Sequence, residues 1–251
     1  MEPLLEVRHL ARAFGNTRAL VDCSVVGYPG TVHCVLGENG SGKSTLVKIL
    51  SGVLPPDSGE ITIGGRKFGT FTPNFSQELR IATVFQELLN VPNRSVLDNV
   101  LLGVERGLRH GRPHRARADR GRSVLSRLGI GSIDLETPLE RLPLAAQQQV
   151  AIARALQREP QILILDEATS ALDVEAQERL FVVLREELAA DVLVLFITHR
   201  MEEIVALAQE VSVVRNGSTV AVVKGEDIRG DRLIELMSGR AALAGGEVHS
   251  G

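Results

Sequence analysis

The sequence predicts an α/β fold built on a mostly parallel sheet, and three observations point to it. A glycine-rich stretch, Gly37–Thr45, joins a short apolar run to a helical one. Two later runs, Gln161–Leu165 and Val192–Ile197, are almost continuously apolar, as strands covered on both faces are. Segments of helical period separate such runs, and strands alternating with helices form parallel sheets.

Composition sets the frame. At 251 residues, with 44% hydrophobic and 24% charged side chains, the chain can bury a full core and reads as an ordinary globular protein. A formal charge of −3 gives no support to a general nucleic-acid binder. No apolar run approaches the ~20 residues of a membrane span, and the first residues lack the basic and apolar regions of a signal peptide. Cys23 and Cys34 lie in strand-like surroundings without metal-ligand spacing and are expected to be buried thiols. The expectation is a cytosolic protein that reaches a membrane only by docking to another subunit.

In chain order, Leu4 to Val26 reads as antiparallel strands around a Phe14-Gly15-Asn16 turn. Thr31–Leu36 is a short β-rich run. The stretch Gly37-Glu38-Asn39-Gly40-Ser41-Gly42-Lys43-Ser44-Thr45 follows it and fits G-x-x-x-x-G-K-[ST]. Leu46, Ile49 and Leu50 then recur at helical spacing until Gly52 and Pro55-Pro56 stop the helix. Glycines at 37, 40 and 42 let successive N–H groups turn inward as a cradle for phosphate oxygens, and the helix N-terminus adds to that field. Lys43 is positioned to reach the β- and γ-phosphates, and the Ser44 hydroxyl to meet Mg²⁺.

Strands are expected at Gly59–Gly65 and Ile81–Phe85. From Glu87 to Glu159 the texture is helical: Ser95 is an N-cap and Gly103 a stop around one short helix, and Gln147–Leu156 forms another, ended by Pro160. The arginines at 106, 109, 112, 115, 117, 120 and 122, with His110 and His114, have no interleaved aromatics and read as a solvated loop and helix face. Ile162–Leu165 leads into Asp166-Glu167. A helix from Val174 to Ala190, a strand ending at Thr198-His199, and a hairpin across Asn216-Gly217 follow. The last helix is expected from about Glu226 to Met237, with a small, polar tail from Ala241 to Gly251.

The loop, Asp166-Glu167 and His199 each follow the carboxyl end of a predicted strand, where open α/β sheets gather their ligands. A carboxylate at Asp166 is suited to hold Mg²⁺ opposite Ser44, and Glu167 to orient or deprotonate an attacking water. From position alone, Phe14 is a core or turn side chain.

With these motifs in this order, the chain resembles the ATP-binding subunits of ABC transporters from about Leu4 to Arg240. The motifs are Gly37–Thr45, Gln86 after Val84-Phe85, Gln147-Gln148-Gln149 with Ile152–Leu156, Ile162–Glu167, Ser170–Asp173, and His199 after Ile197-Thr198. Val84–Leu88, Val91-Pro92-Asn93 and Leu233–Arg240 look most like the sugar-importer branch. The resemblance implies one ATP-binding domain over residues 1–240, with a helical subdomain at about 87–159 inserted in the α/β core and an N-terminal antiparallel β subdomain. It implies ATP and Mg²⁺, hydrolysis coupled to uptake of a sugar or similar polar solute, and a place on the inner face of the cell membrane. Membrane permease subunits, a second ATPase domain and, indirectly, a solute-binding protein are the implied partners; nucleic acid is not. By the same resemblance Phe14 stacks on adenine, and Gln86 touches Mg²⁺ or the lytic water while linking the site to the membrane subunits. His199 bonds the γ-phosphate and holds Glu167. A non-transport ABC ATPase and a phosphate-loop kinase or GTPase remain the rival readings.

Two features depart from that family. Where a Leu-Ser-Gly-Gly-Gln segment is expected, the chain reads Leu142-Pro143-Leu144-Ala145-Ala146-Gln147. In the family this segment caps the γ-phosphate held by a partner's loop; Pro143 has neither a hydroxyl nor an N–H, and Ala145 brings a Cβ. The expected partner is therefore a different cassette with an intact segment. Sugar-branch subunits also carry two such domains in one chain, and here there is one.

Overall fold

The computed structural model describes residues 1–70, 72–104, 114–189 and 191–238. Arg106, Arg109, His110 and Arg112 of the arginine-rich stretch, and the tail from Ala241, lie outside the described residues.

Among the described residues, ten strands form one sheet. β1 (Leu5–Phe14), β2 (Thr17–Gly27), β4 (Ser58–Ile63) and β5 (Arg66–Phe68) make its antiparallel part. β3 (Val32–Leu36), β6 (Ile81–Val84), β7 (Ile162–Asp166), β8 (Leu193–Ile197) and β9 (Glu210–Arg215) run parallel, with β10 (Ser218–Lys224) returning beside β9. The order across the sheet is β5-β4-β1-β2-β10-β9-β3-β8-β7-β6. The helices are α1 (Lys43–Leu50), α2 (Pro73–Glu78), α3 (Val96–Leu101), α4 (His114–Arg127), α5 (Leu144–Leu156), α6 (Val174–Ala189), α7 (Met201–Leu207) and α8 (Gly230–Ser238).

The apolar runs explain the layering. In β7, Ile162 and Ile164 point into one core and Leu163 and Leu165 into the other, so every position is buried. The first core takes α1, through Leu46, Val47, Ile49 and Leu50, with the antiparallel strands. The second takes the apolar faces of α3 to α8. Truncating one such side chain, for example Leu165→Ala, costs about 2–5 kcal/mol. The Asn216-Gly217 turn has φ of 49° and 76°, the paired positive values that a two-residue hairpin of this twist requires.

Several expectations shift. The last helix begins at Gly230, because Gly225–Asp227 forms a single 3₁₀ turn and Ile228 then folds inward to burial. β5 and α2 were not foreseen: three and six residues are too short to show a period. The arginine face is only partly solvated. Arg117 is buried and pairs with Asp98 at 3.2 Å, and Arg120 donates to Gln157 at 2.7 Å, so these two fasten α4 to α3 and to the end of α5. Among the described residues no helix is long and apolar enough to cross a membrane.

Candidate functional site

β3, β6, β7 and β8 are neighbours in or next to the parallel core, and each releases a loop at its carboxyl end. After β3 comes the glycine loop. A Cβ on Gly37 would run into the Val214 carbonyl and the Ser41 hydroxyl; one on Gly42, whose φ is +106°, would run into the Ala19 carbonyl. The loop is therefore wrapped between β2 and the β9–β10 turn, and only glycine allows it so close. Asn39 and Gly40 are exposed at its crest, Ser44 is exposed, and Thr45 is half-buried. Ser41 Oγ, beside Gly37, is buried without a hydrogen-bond partner among the described residues, an unsatisfied donor within the loop.

Lys43 is buried, and its Nζ donates to Gly37 O at 2.7 Å and Glu38 O at 2.9 Å. The loop thus closes around the ammonium. Burial pushes the Lys43 pKa down, and the nearby Glu167 and Asp166 carboxylates oppose that. A phosphate entering the cradle would find an ammonium already desolvated.

β7 delivers Asp166, buried, and Glu167, which adopts φ +49°. A non-glycine residue in this region stores about 1–3 kcal/mol of strain and is held there by its surroundings; here the Glu167 N–H donates to Ile197 O at 2.9 Å. The bend turns Glu167 toward the loops from β6 and β8. Gln86 Nε2 donates to Glu167 Oε2 at 3.0 Å, and His199 Nδ1 lies 3.3 Å from Glu167 Oε1. If Nδ1–H donates to Glu167, Nε2 of a neutral ring is an acceptor, so only the imidazolium can also donate to a phosphate.

Burial, then the neighbouring Glu167 charge, pushes the Asp166 pKa up to about 6; Lys43, Lys48 and a hydrogen bond from Ser44 pull the other way. Ser44, Gln86 and Asp166 line one cleft of about 250 Å³, together with Lys48. Hydroxyl, amide and carboxylate are hard oxygen donors, and among the described residues no group of three or more His, Cys, Asp or Glu forms a cage. This sparse set fits Mg²⁺, which keeps waters and takes phosphate oxygens as further ligands. A larger cleft of about 440 Å³, between Arg80, Arg120, Arg158 and Glu159, lies at the other ends of β6 and β7 and holds none of the motif residues.

Phe14 ends β1 and pairs across the turn with Thr17, two residues before the Ala19 carbonyl that Gly42 abuts. Its ring is half-exposed, with the Arg12 guanidinium 5.1 Å from the centroid. It is therefore not a core side chain.

At the other candidate surface, Pro143 stands at the N-cap of α5 with no side-chain cap hydrogen bond, and Leu144, the first residue of the helix, is exposed. Sequence reasoning missed two polar groups near the site. Lys48 shares the cleft of Ser44 and Asp166. Glu203 is buried on α7 and holds the Thr198 hydroxyl at 2.6 Å. A charged residue in register with Ile204 and Leu207 on the apolar face of a helix was the available signal for Glu203.

Residues 20–170 match a family model described as ABC transporter. The chain is 39% identical over 239 residues to "Ribose import ATP-binding protein RbsA 1" of Mesorhizobium japonicum, covering 95% of this chain and 46% of that protein. It is 38% identical over 240 residues to "Ribose import ATP-binding protein RbsA 2" of Escherichia coli O157:H7, covering 95% and 47%. The chain thus spans about half the length of the curated relatives it matches. Among solved structures, the ADP conformation of MJ1267, an ATP-binding cassette of an ABC transporter, superposes with a TM-score of 0.80 at 22% identity over 98% of this chain and 100% of that one. A dimeric post-hydrolysis state of the cassette MJ0796, bound to ADP and Pi, gives 0.78 at 24% over 90% and 99%.

Proposed function

We propose, from the premise that this chain belongs to the ABC transporter family, that it is the ATP-hydrolysing cassette of an importer for a sugar or related small polar solute. The observation that carries the reading is the convergence on Glu167: a desolvated Lys43 and Asp166 lie near one carboxylate that receives both Gln86 and His199.

In this reading the glycine loop wraps the β- and γ-phosphates. Lys43 moves its N–H donors from the Gly37 and Glu38 carbonyls onto phosphate oxygens. Phe14 stacks on the adenine, which needs an exposed aromatic face rather than a hydroxyl. Ser44, Asp166 and Gln86 would hold Mg²⁺, which would neutralise charge developing on the phosphates. Glu167 orients a water and accepts its proton as the water oxygen bonds to the γ-phosphorus and the bond to ADP breaks. His199 keeps Glu167 in position and, as imidazolium, donates to the γ-phosphate.

The 38–39% identity to ribose import proteins over nearly the whole chain supports a sugar or related solute. The domain reading is residues 1–240 as one cassette, with a helical subdomain at about 87–159. Its partners are membrane permease subunits on the cytoplasmic side, a solute-binding protein acting through them, and a second cassette with an intact signature segment. The bare helix start at Pro143 supports that asymmetry.

Two tests apply. A nucleotide screen on the purified chain should return Mg²⁺-dependent ATP binding with the adenine face required; preference for GTP, or phosphate transfer to an acceptor other than water, would turn the reading toward a GTPase or kinase. Neighbouring reading frames should include a permease and a solute-binding protein; genes of translation or DNA repair in their place would favour a non-transport cassette.

A further inference from the structure

Glu203 has the surroundings of a residue kept for its charge. It lies on the buried face of α7 with Ile204 and Leu207, its side chain 1% exposed, where an aliphatic residue would be the simpler choice. Its partners come from two places. Oε2 accepts from the Thr198 hydroxyl at 2.6 Å; Oε1 accepts from Arg200 Nη1 at 3.4 Å and from Gln177 Nε2 of α6 at 3.3 Å. The Thr198 oxygen also accepts from the Arg200 N–H at 3.1 Å. Thr198 and Arg200 are the two chain neighbours of His199, which itself stands clear of Glu203 and faces Glu167.

We propose that Glu203 is a positioning residue for His199, clamping the loop on both sides of the imidazole and fastening it to α6. The functional weight of this rests on the role given to His199 above. The α6 end of the clamp is fixed in turn: the Gln177 N–H donates to Asp173 O at 3.0 Å, and Asp173 Oδ1 caps the helix by accepting from Ala176 N at 2.8 Å. Hydrogen bonds therefore run from the segment Ser170–Asp173 through Gln177 and Glu203 to Thr198 and Arg200, the two residues that flank the imidazole in the chain. A shift of the first turn of α6 would move the imidazole with it, while leaving the glycine loop on β3 untouched.

The test uses Glu203→Gln, which keeps the shape but replaces one acceptor oxygen with an amide N–H₂, so that the Thr198, Gln177 and Arg200 donors can no longer all be accepted as they are. In the full chain, the His199 ring resonances in ¹H–¹³C spectra should move while those of His9 and His33 stay. In the assembled complex, turnover should fall about tenfold to a hundredfold with the KM for ATP within about twofold, as expected for a misplaced group rather than lost binding. Adding Glu203→Gln to His199→Ala should slow the enzyme no further, since the clamp acts through that ring. Thr198→Val serves the same purpose if Glu203→Gln does not fold, because it removes the hydroxyl at the centre of the clamp. Unmoved His199 resonances in a folded variant, or losses that multiply in the double variant, would overturn the proposal. If His199→Ala alone retains the parent rate, the role of His199 falls, and the ring resonances still decide whether Glu203 positions it.

Discussion

The Gln86 amide donates to the Glu167 carboxylate at 3.0 Å, across residues 81 positions apart in sequence. This bond joins the loop after β6 to the strained turn after β7, and it uses the oxygen that His199 does not. Losing one donor to a carboxylate is worth about 1.5–3 kcal/mol where the contact is sheltered, and less at the exposed Gln86. Gln86→Ala should therefore lower turnover about tenfold and leave the KM for ATP nearly unchanged. Steady-state ATPase assays on the assembled complex check this; a raised KM with intact kcat would make Gln86 a binding group instead.

Asp166 carries a pH signature. Its folded-state pKa is raised from 3.8 to about 6, so the folded protein binds this proton more tightly than the unfolded chain does. The group costs nothing below about pH 4. The cost grows as pH rises through 6 and is complete above it, on the order of 3 kcal/mol for about two units. In EDTA, Asp166→Asn should melt several degrees above the parent at pH 8 and level with it at pH 4, with the Mg²⁺-dependent part of ATP stabilisation lost. Thermal melts across that range decide it.

The segment after Gln86 offers an apolar contact for a membrane subunit at one place. Leu88 packs on the core and Val91 is pinned by two 2.9 Å bonds to Asn99. Leu89 remains 59% exposed, its carbonyl held by Arg154 at 2.7 Å. A cysteine at Leu89 should crosslink to a permease loop in an ATP-dependent way. Crosslinking from Val222 on β10 in its place would move the interface to the far hairpin.

The bare start of α5 bears on partner choice. With Pro143 and Ala145 unable to supply the usual hydroxyl and close N–H, a homodimer would combine two good loops with two poor caps, and losing one preorganised donor costs roughly 10²–10³ in rate. The lone chain should turn over ATP slowly. Restoring Pro143→Ser with Ala145→Gly should raise that rate by about two orders of magnitude, and should be nearly silent in the heteromeric complex. Brisk hydrolysis by the lone chain, or a gain confined to the complex, would contradict this pairing.

What could be read from the letters follows from which forces are local. Ile162–Leu165 announces a strand because both its faces are buried, and Asn216-Gly217 announces a turn because few residues tolerate positive φ there. That Gln86, Asp166-Glu167 and His199 each follow a strand end was equally legible. That His199 holds Glu167 was implied by the resemblance; that Gln86 donates to the same carboxylate was not, because it depends on the positive φ of Glu167 and on strand order. Burial of a single polar side chain is set by packing across elements distant in sequence, so Arg117 gave no signal, and Glu203 only the weak one of a charge on an apolar helix face. The 3₁₀ turn at Gly225–Asp227 likewise replaced an expected helix start because Ile228 has a core position to fill.

The central claim is that Lys43 holds the nucleotide while Glu167 drives its hydrolysis, and one paired measurement separates these roles. ATP affinity and turnover are measured for Glu167→Gln and Lys43→Ala in the same assembled complex. Glu167→Gln should bind ATP as the parent does and lose turnover by about 10²–10⁴, the range of a general base. Lys43→Ala should weaken ATP binding itself by about one to two orders of magnitude, the worth of a charge-assisted contact. Hydrolysis by Glu167→Gln at the parent rate, or undiminished ATP affinity in Lys43→Ala, would contradict the account.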